Sequence, residues 1–550
     1  MTINSTRVLC IGLDGATLDV VEPLAEIGYL PNLRALMERG AWGRLDSTRP
    51  PLSPPAWATF ATGVNPGVHG VFDFVTRAED GTFRVANGAS LRQPTFWARL
   101  SAAGRTVGVV NVPLTYPPTP VNGFMVSGMD APRKSTPTTY PPDLAAEIVA
   151  RFGTYWVERH TASLLPLSSR RFLSRYVADT LAMMRRRGQV TRWLLESYRP
   201  ELLVVVFIGT DRLQHLDGQA LEAITSRRGL DRAALADNPV AAAYRTADQE
   251  IGHLLEAVDS TWHIVVMSDH GFRPYERVFN LNRWLMEQGF LALKPRRWPP
   301  RVGGPLQGLW ARLRGRVAGA GVPGPLERFL AAVDWPHTVA YSFGAFGSLY
   351  LNLRGREPHG VVATVAEGEA LLAAIAEKLQ TWRDPETGAA VIARVERGQG
   401  LYKGPMAGWG PDLVMEMAPG YFIRNSLETW SSRLVEPAGQ YAGRQLPHTA
   451  MHDPQGLLIM AGPAARKAAA QPAHAGIIDL APTLLYLAGE PVPSSLEGKV
   501  LVDWLDAHYV AQHPVRHGDG EVGATGLAHD YTPEEERIVA AHLQRLGYLL

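Results

Sequence analysis

Short, continuous apolar runs rich in Val and Ile, each bounded by Gly, Asp or Pro, recur along the chain at Val8–Leu13, Val107–Val112, Leu202–Ile208, His263–Met267 and Gly456–Met460. A strand that is apolar throughout has both faces covered, which is the condition of a parallel sheet flanked by helices. Helical spacing separates several of the runs, as in Leu30–Arg39 and Tyr244–Val258. Strands that alternate with helices predict an α/β fold with a largely parallel sheet.

Two stretches interrupt the pattern. Tyr116–Arg199 opens with the Pro-rich TYPPTPVNG and carries basic, helix-like segments around Arg170–Arg175 and Arg185–Arg187. Lys294–Leu326 gathers Lys294, Arg296, Arg297, Arg301, Arg312, Arg314 and Arg316 among Trp298, Leu309, Trp310 and Leu313. Such a cluster reads either as a solvated insertion or as a basic amphipathic element that touches a membrane surface or an anionic substrate. At the end of the chain, YTPEEERIVAAHLQRLGYLL predicts a short helix. Thr532 caps it with Glu535 three residues on, and Ile538, Val539, Leu543 and Leu546 share one face. That face docks either on the body or on a partner subunit.

Composition narrows the classes. At roughly 100–200 residues per domain, 550 residues allow either several units or one large α/β domain with insertions. A net charge of +1 supplies no global attraction to nucleic acid or anionic lipid. The single cysteine, Cys10, lies in an apolar run and reads as a buried, inert thiol, which suits a reducing compartment. The apolar stretch Val8–Leu13 is too short for a signal peptide, and Leu202–Ile208 falls well below the ~18 residues of a membrane span. A soluble, cytoplasmic protein with no transmembrane segment is the expectation; oligomeric state is left open.

The chemistry sits at the ends of the runs. Asp14 follows the first in GLDG, Asp211 follows the third in GTDRLQH, and Asp269 with His270 follows the fourth in SDHG. Ligands of open α/β sheets bind outside the carboxyl ends of the strands, so acids far apart in sequence meet on one rim. One Asp after a strand is commonly a turn or cap residue; three, two of them with a nearby His, are harder to explain that way. Asp211 and His215 stand four apart and share a helix face, so they can hold one metal together. Carboxylate with imidazole suits zinc, with manganese or iron as lesser choices, and with Asp14 there are donors enough for two ions. In RPPLSPPAWATFATG, Pro54 and Pro55 suit the first turn of a helix that runs through Ala56–Thr62. Ser53 then stands where a helix N-terminus favours an anion, and reads equally as a cap or as a nucleophile.

Together these segments resemble the alkaline phosphatase superfamily, and within it the type I phosphodiesterase/nucleotide pyrophosphatase family. The likeness rests on GLDG, the Ser53 segment through TGVNPGVHG, the Asp211/His215 pair, SDHG, HDPQG at His452, and DLAPTLLYLAGEPVPSSLEGKVL. It implies a three-layer α/β/α sandwich with cap-like insertions at about 116–200 and 281–400 in a catalytic domain of residues 1–505. A tail of 506–550 carries the short helix. It also implies one metal ion on Asp211, His215 and His452, a second on Asp14, Asp269 and His270, and Ser53 bridging them as the nucleophile of a phosphoseryl mechanism. His448 competes with His452 for its place, and His69 of PGVHG is assigned to holding a turn.

Departures mark the substrate. Nucleotide pyrophosphatase relatives carry Asn three residues after the nucleophile, where this chain has Ala56; Asn111 in VVNVP is a substitute donor if it reaches the same rim. Sulfatases need Arg where this chain has Trp57. The expected function is a metal-dependent phosphoester hydrolase of the phosphodiesterase/nucleotide pyrophosphatase type acting on a small molecule. The alternatives are a phosphomonoesterase, a phosphonate or sulfate ester hydrolase, or a non-catalytic binding protein on a degenerate version of the fold.

Overall fold

The computed structural model describes residues 6–77, 83–132, 136–158, 170–295, 325–425, 433–438, 440–441, 444–445, 450–518 and 531–545. The basic cluster from Arg296 to Arg316, its intervening Trp and Leu residues, His448 and Leu546 lie outside them. Among the described residues no helix is long and apolar enough to cross a membrane.

A nine-stranded sheet organises the chain, in the edge-to-edge order Ala469–Ala470, Ala41–Asp46, Gln455–Ala461, Trp262–Met267, Arg7–Leu13, Leu202–Phe207, Val107–Val110, Gly123–Val126 and Thr139–Tyr140. The five strands from Trp262–Met267 to Gly123–Val126 are mutually parallel, with Val8 opposite Leu202 and His263. All five apolar runs form strands, with one correction. Gln455–Ala461 is antiparallel to Trp262–Met267. A run of apolar residues records burial on both faces, and burial is blind to strand direction. The run at Val107 also stops two residues early, where Asn111 takes a left-handed φ of 54° and turns the chain.

Side chains of each central strand alternate between two cores, as the period of two requires. Leu9, Ile11, Leu203, Val205 and Phe207 enter one core with the helices Leu18–Glu26, Pro31–Arg39, Arg170–Tyr198 and Pro239–Leu255. Val8, Cys10, Leu202, Val204 and Val206 enter the other with Ser53–Thr62, Phe96–Ala102 and Leu480–Leu487. These are the three layers of an α/β/α sandwich. Cys10 is wholly buried, and burial pushes its thiol up.

A third core gathers Phe279, Trp284, Tyr341, Leu351, Ile375 and Met415. It belongs to an antiparallel sheet of Ala340–Ser342, Leu349–Leu351, Leu413–Met417 and Ile392–Arg397 covered by the helix Val365–Thr381. This lobe is pinned to the sandwich by buried polar contacts: Ala345 N–H donates to Asp73 Oδ2 at 2.9 Å, and Arg77 pairs with Glu357 at 2.5 Å.

The helix Pro533–Arg545 packs back on the body. Thr532 and Glu535 exchange main-chain hydrogen bonds at 2.9 and 3.3 Å, and Val539 and Leu543 are buried with Leu52, Phe74 and Phe346. Ile538 departs from expectation and is exposed. It lies about 100° round the helix from Val539, at the flank of the apolar stripe, and the inward position beside that stripe belongs to His542.

Candidate active site

Asp14, Asp211 and Asp269 come together because Arg7–Leu13, Leu202–Phe207 and Trp262–Met267 are adjacent parallel strands that end on the same rim. The chain must turn sharply after Asp14. Gly15 adopts φ +67°, and a Cβ there would also meet the Phe272 ring at 3.0 Å. The turn is tied on both sides: Gly15 N–H donates to Asp269 Oδ1 at 3.0 Å, and Thr210 Oγ1 donates to the Asp14 carbonyl at 2.6 Å. Asp211 and His215 project from one face of the helix Gly209–Leu216. His452 arrives on the strand Ala450–Asp453, antiparallel to Gly271–Asn280, and its ring stacks on His270 with centroids 3.6 Å apart.

The donor atoms converge in two overlapping groups. His215 Nε2 and His452 Nε2 are 3.0 Å apart, and each lies 3.3 Å from Asp211 Oδ1. On the other side, His270 Nε2 lies 3.2 Å from Asp269 Oδ2 and 4.0 Å from Asp14 Oδ1. His270 belongs to both groups: its nitrogen is within 4.8 Å of the donors of Asp211 and His452 as well as those of Asp14 and Asp269. The imidazoles are oriented from behind. Nδ1 of His270 sits 3.0 Å from the Gly271 carbonyl and Nδ1 of His452 2.9 Å from that of Pro51, so each carries its proton there and leaves Nε2 as a lone pair. Asp14 Oδ1 is buried with no hydrogen-bond partner. An unsatisfied carboxylate oxygen facing imidazole lone pairs is an expensive arrangement for protein alone and a fitting one for divalent cations.

Electrostatics differ between the groups. Burial, reinforced by Asp269 and Asp211, holds Asp14 well above the usual carboxylate range, and burial pushes Asp269 up to about 7. Burial would raise Asp211 also, but His215 and Arg212 outweigh it and hold that carboxyl well below its ordinary value. Burial, with His452 beside it, keeps His270 neutral.

Ser53 is the first residue of the helix Ser53–Thr62, whose cap position is Leu52, and no side chain caps it. Its hydroxyl instead lies 3.2 Å from His270 Nε2, 3% exposed. Asn111 is committed elsewhere: its amide donates to the Ser127 carbonyl at 2.8 Å and its oxygen accepts from the Tyr155 hydroxyl. His69, fully buried, bonds Thr59 Oγ1 at 3.0 Å and accepts from Val71 N–H at 3.2 Å.

Several residues that act on this site carried no sequence signal. Trp57 Nε1–H donates to Asp14 Oδ2 at 3.3 Å. Arg212 bonds Asp211 Oδ2, and its Nε donates to Glu158 Oε1 at 2.6 Å. An Arg beside a helical Asp is ordinary in sequence; only the fold shows that it is buried.

The α/β/α sandwich with an Asp/His rim at its strand ends and a buried hydroxyl beside it has the arrangement that the resemblance to the alkaline phosphatase superfamily implies. The chain belongs to the type I phosphodiesterase/nucleotide pyrophosphatase family, which it matches over residues 8–438. No curated protein matches it. Among solved structures it is similar to phosphonoacetate hydrolase from Sinorhizobium meliloti 1021 in complex with phosphonoformate, at 15% identity and TM-score 0.51, covering 88% of this chain and 95% of that one. It is also similar to an inactive murine ectonucleotide pyrophosphatase/phosphodiesterase 5 in complex with AMP, at 13% identity and TM-score 0.50, covering 91% and 100%. The human counterpart of the latter aligns at 12% identity and TM-score 0.49, with coverage of 91% and 100%.

Proposed function

We propose that the protein hydrolyses a small-molecule phosphodiester at a two-metal centre, with Ser53 as nucleophile and a phosphoseryl intermediate. The observation that carries this reading is the Ser53 hydroxyl: buried, spared from capping, and 3.2 Å from the Nε2 that also faces Asp14 and Asp269. Asp211, His215 and His452 would hold one ion and Asp14, Asp269 and His270 the other. The mixed oxygen and nitrogen donor set favours zinc. Bound there, the ions supply Lewis-acid stabilisation of phosphoryl charge and a lowered hydroxyl pKa.

The chain's own groups do the rest. Of the first turn of Ser53–Thr62, Pro54 and Pro55 have no N–H and the Ala56 N–H donates to the Leu52 carbonyl at 3.0 Å, so the helix start offers a phosphoryl group at most the Ser53 N–H. Ser53 gives its hydroxyl proton to a water molecule, Oγ attacks phosphorus as the bond to the leaving oxygen breaks, and the hydronium so formed returns that proton to the departing oxygen. Attack by a second water then returns the Ser53 hydroxyl and releases the phosphomonoester. At the position where nucleotide-cleaving relatives present an amide, Ala56 is wholly buried and has no donor to offer. This favours a diester recognised through its other substituents over a nucleotide pyrophosphate.

The test is a panel of an aryl phosphodiester, phosphomonoester, nucleotide pyrophosphate, phosphonate ester and sulfate ester, run with wild type and Ser53→Ala. The diester should show the highest kcat/KM, and Ser53→Ala should lose on the order of 10⁴-fold in turnover. A Ser53→Ala protein with full activity sinks the nucleophile, and a clear preference for another ester class sinks the substrate.

A further inference from the structure

Outside the donor set, the described residues place one continuous file of buried charged and titratable groups between the rim and the far end of the chain. Arg212 Nη1 bonds Asp211 Oδ2, Arg212 Nε donates to Glu158 Oε1 at 2.6 Å, and Glu158 Oε2 lies 2.5 Å from His542 Nε2. Arg212 is 6% exposed, Glu158 2% and His542 2%. Burying ionised groups costs several kcal/mol each unless every partner is well placed, so a file of three is a poor means of covering an apolar patch. A Leu at position 542 would cover it better.

The helix that carries His542 is fixed on both flanks. Tyr531 OH donates to the Asp130 carbonyl at 2.5 Å, Tyr116 OH to Glu535 Oε1 at 2.7 Å, and Val85 N–H to Glu536 Oε1 at 3.0 Å. Val539 and Leu543, on the same stripe as His542, pack with Leu52, the residue before Ser53.

We infer that the helix Pro533–Arg545 is a working part of the active site, in which His542 and Glu158 are positioning residues that hold Arg212 against Asp211. The consequence lies in how Asp211 divides its two oxygens. With Oδ2 taken by Arg212, the carboxylate cannot swing about its terminal torsion, and Oδ1 is left facing His215 and His452, 3.3 Å from each. Supports of this kind behind a metal ligand are worth about 10–100-fold in metal affinity. Among the described residues no hydrogen bond or ion pair runs from this file to the other donor group: Asp14 accepts from Trp57 and Asp269 from Gly15, and Arg212 reaches Asp14 only through its field. The helix therefore sets one ion site and leaves the second alone. This inference rests on the two-metal reading above.

The experiment is a zinc titration of the full chain, by calorimetry and by chelator competition, alongside thermal melts, for wild type, His542→Ala, His542→Gln and Ile538→Ala. Wild type should show two sites. His542→Ala should weaken one of them about 10–100-fold with the other unchanged. His542→Gln keeps an N–H donor for Glu158 and should restore most of that affinity, and Ile538→Ala, at an exposed position, should match wild type. Two unchanged sites in His542→Ala overturn the inference while leaving the two-metal reading intact, as does equal weakening of both sites with a lowered melting temperature. A wild-type protein that takes up no zinc overturns both. Should His542→Ala fail to fold, Glu158→Gln, nearly isosteric, poses the same question with the same expected and opposing results.

Discussion

The two halves of the site solve one problem in opposite ways. Asp14 and Asp269 are held by groups within reach of their own strand ends, the Trp57 indole and the Gly15 amide, and burial raises both carboxyls. Asp211 is held by a cation, and its carboxyl is driven down by His215 and Arg212. Without ions, the first half is most comfortable protonated and the second ionised. Adjacent carboxylates on one rim thus need not share an electrostatic state, and what separates them is that His215 and a directly bonded Arg212 outweigh burial at Asp211, whereas burial prevails at Asp14 and Asp269.

The sharpest way to break the comparison is to remove one acid from each half. Asp211→Ala and Asp269→Ala should each cut turnover by on the order of 10³-fold or more and each lose about one equivalent of bound metal by elemental analysis. If either variant retains two equivalents, the division into halves is wrong. Next in size is Arg212→Met, which leaves Asp211 and Glu158 buried without their cation. It should destabilise the metal-free protein by about 3–5 kcal/mol in denaturant unfolding, and a change below 1 kcal/mol would show that the cation is not what holds that half.

A smaller effect tests the opposite signs directly. The Asp269 carboxyl is raised to about 7 in the folded protein, so its contribution to metal-free stability is complete below the ordinary carboxylate range and is lost as pH rises through about 7. Asp211 is lowered, so its contribution is present above that range and is lost in acid. In chelator-treated protein, Asp269→Asn should abolish part of the fall in melting temperature between pH 4 and 7, and Asp211→Asn should do nothing there except lower the whole curve. The smallest expected change is Trp57→Phe, which removes one neutral donor to Asp14 for about 1 kcal/mol and should reduce activity only several-fold.

Sequence carried the parallel core because residues buried on two faces must be apolar at every position, and Val8–Leu13 and Leu202–Ile208 are. It was silent on Ala41–Asp46, where AWGRLD buries only alternate residues and Arg44 with Gly43 breaks the run. The lobe around Trp284 and Met415 escaped for a related reason, since its strands are three to six residues long and too short to show a period. At the rim, acids directly after strands and Ser53 at a helix start were legible as a pattern, and the family resemblance supplied His452 and the choice of nucleophile over cap for Ser53. What joins Arg212 to Glu158 and His542 was not, because buried ion pairs are set by three-dimensional proximity between segments with no local signature. Asn111 shows the reverse error: a polar residue at a strand end suggested a donor, and its left-handed φ and bond to Ser127 make it a turn.

The contacts that complete the rim span long stretches of chain: 217 residues separate Ser53 from His270, 237 separate His215 from His452, and 384 separate Glu158 from His542. Such closures are slow, because loop entropy is lost before any contact repays it. During synthesis from the N-terminus, Ser53, Asp14 and Asp211 emerge long before the strand Ala450–Asp453 and the helix Pro533–Arg545 that finish their surroundings. A nascent chain therefore carries the rim in pieces, and the cluster of Asp and His donors is completed as one of the last events of folding.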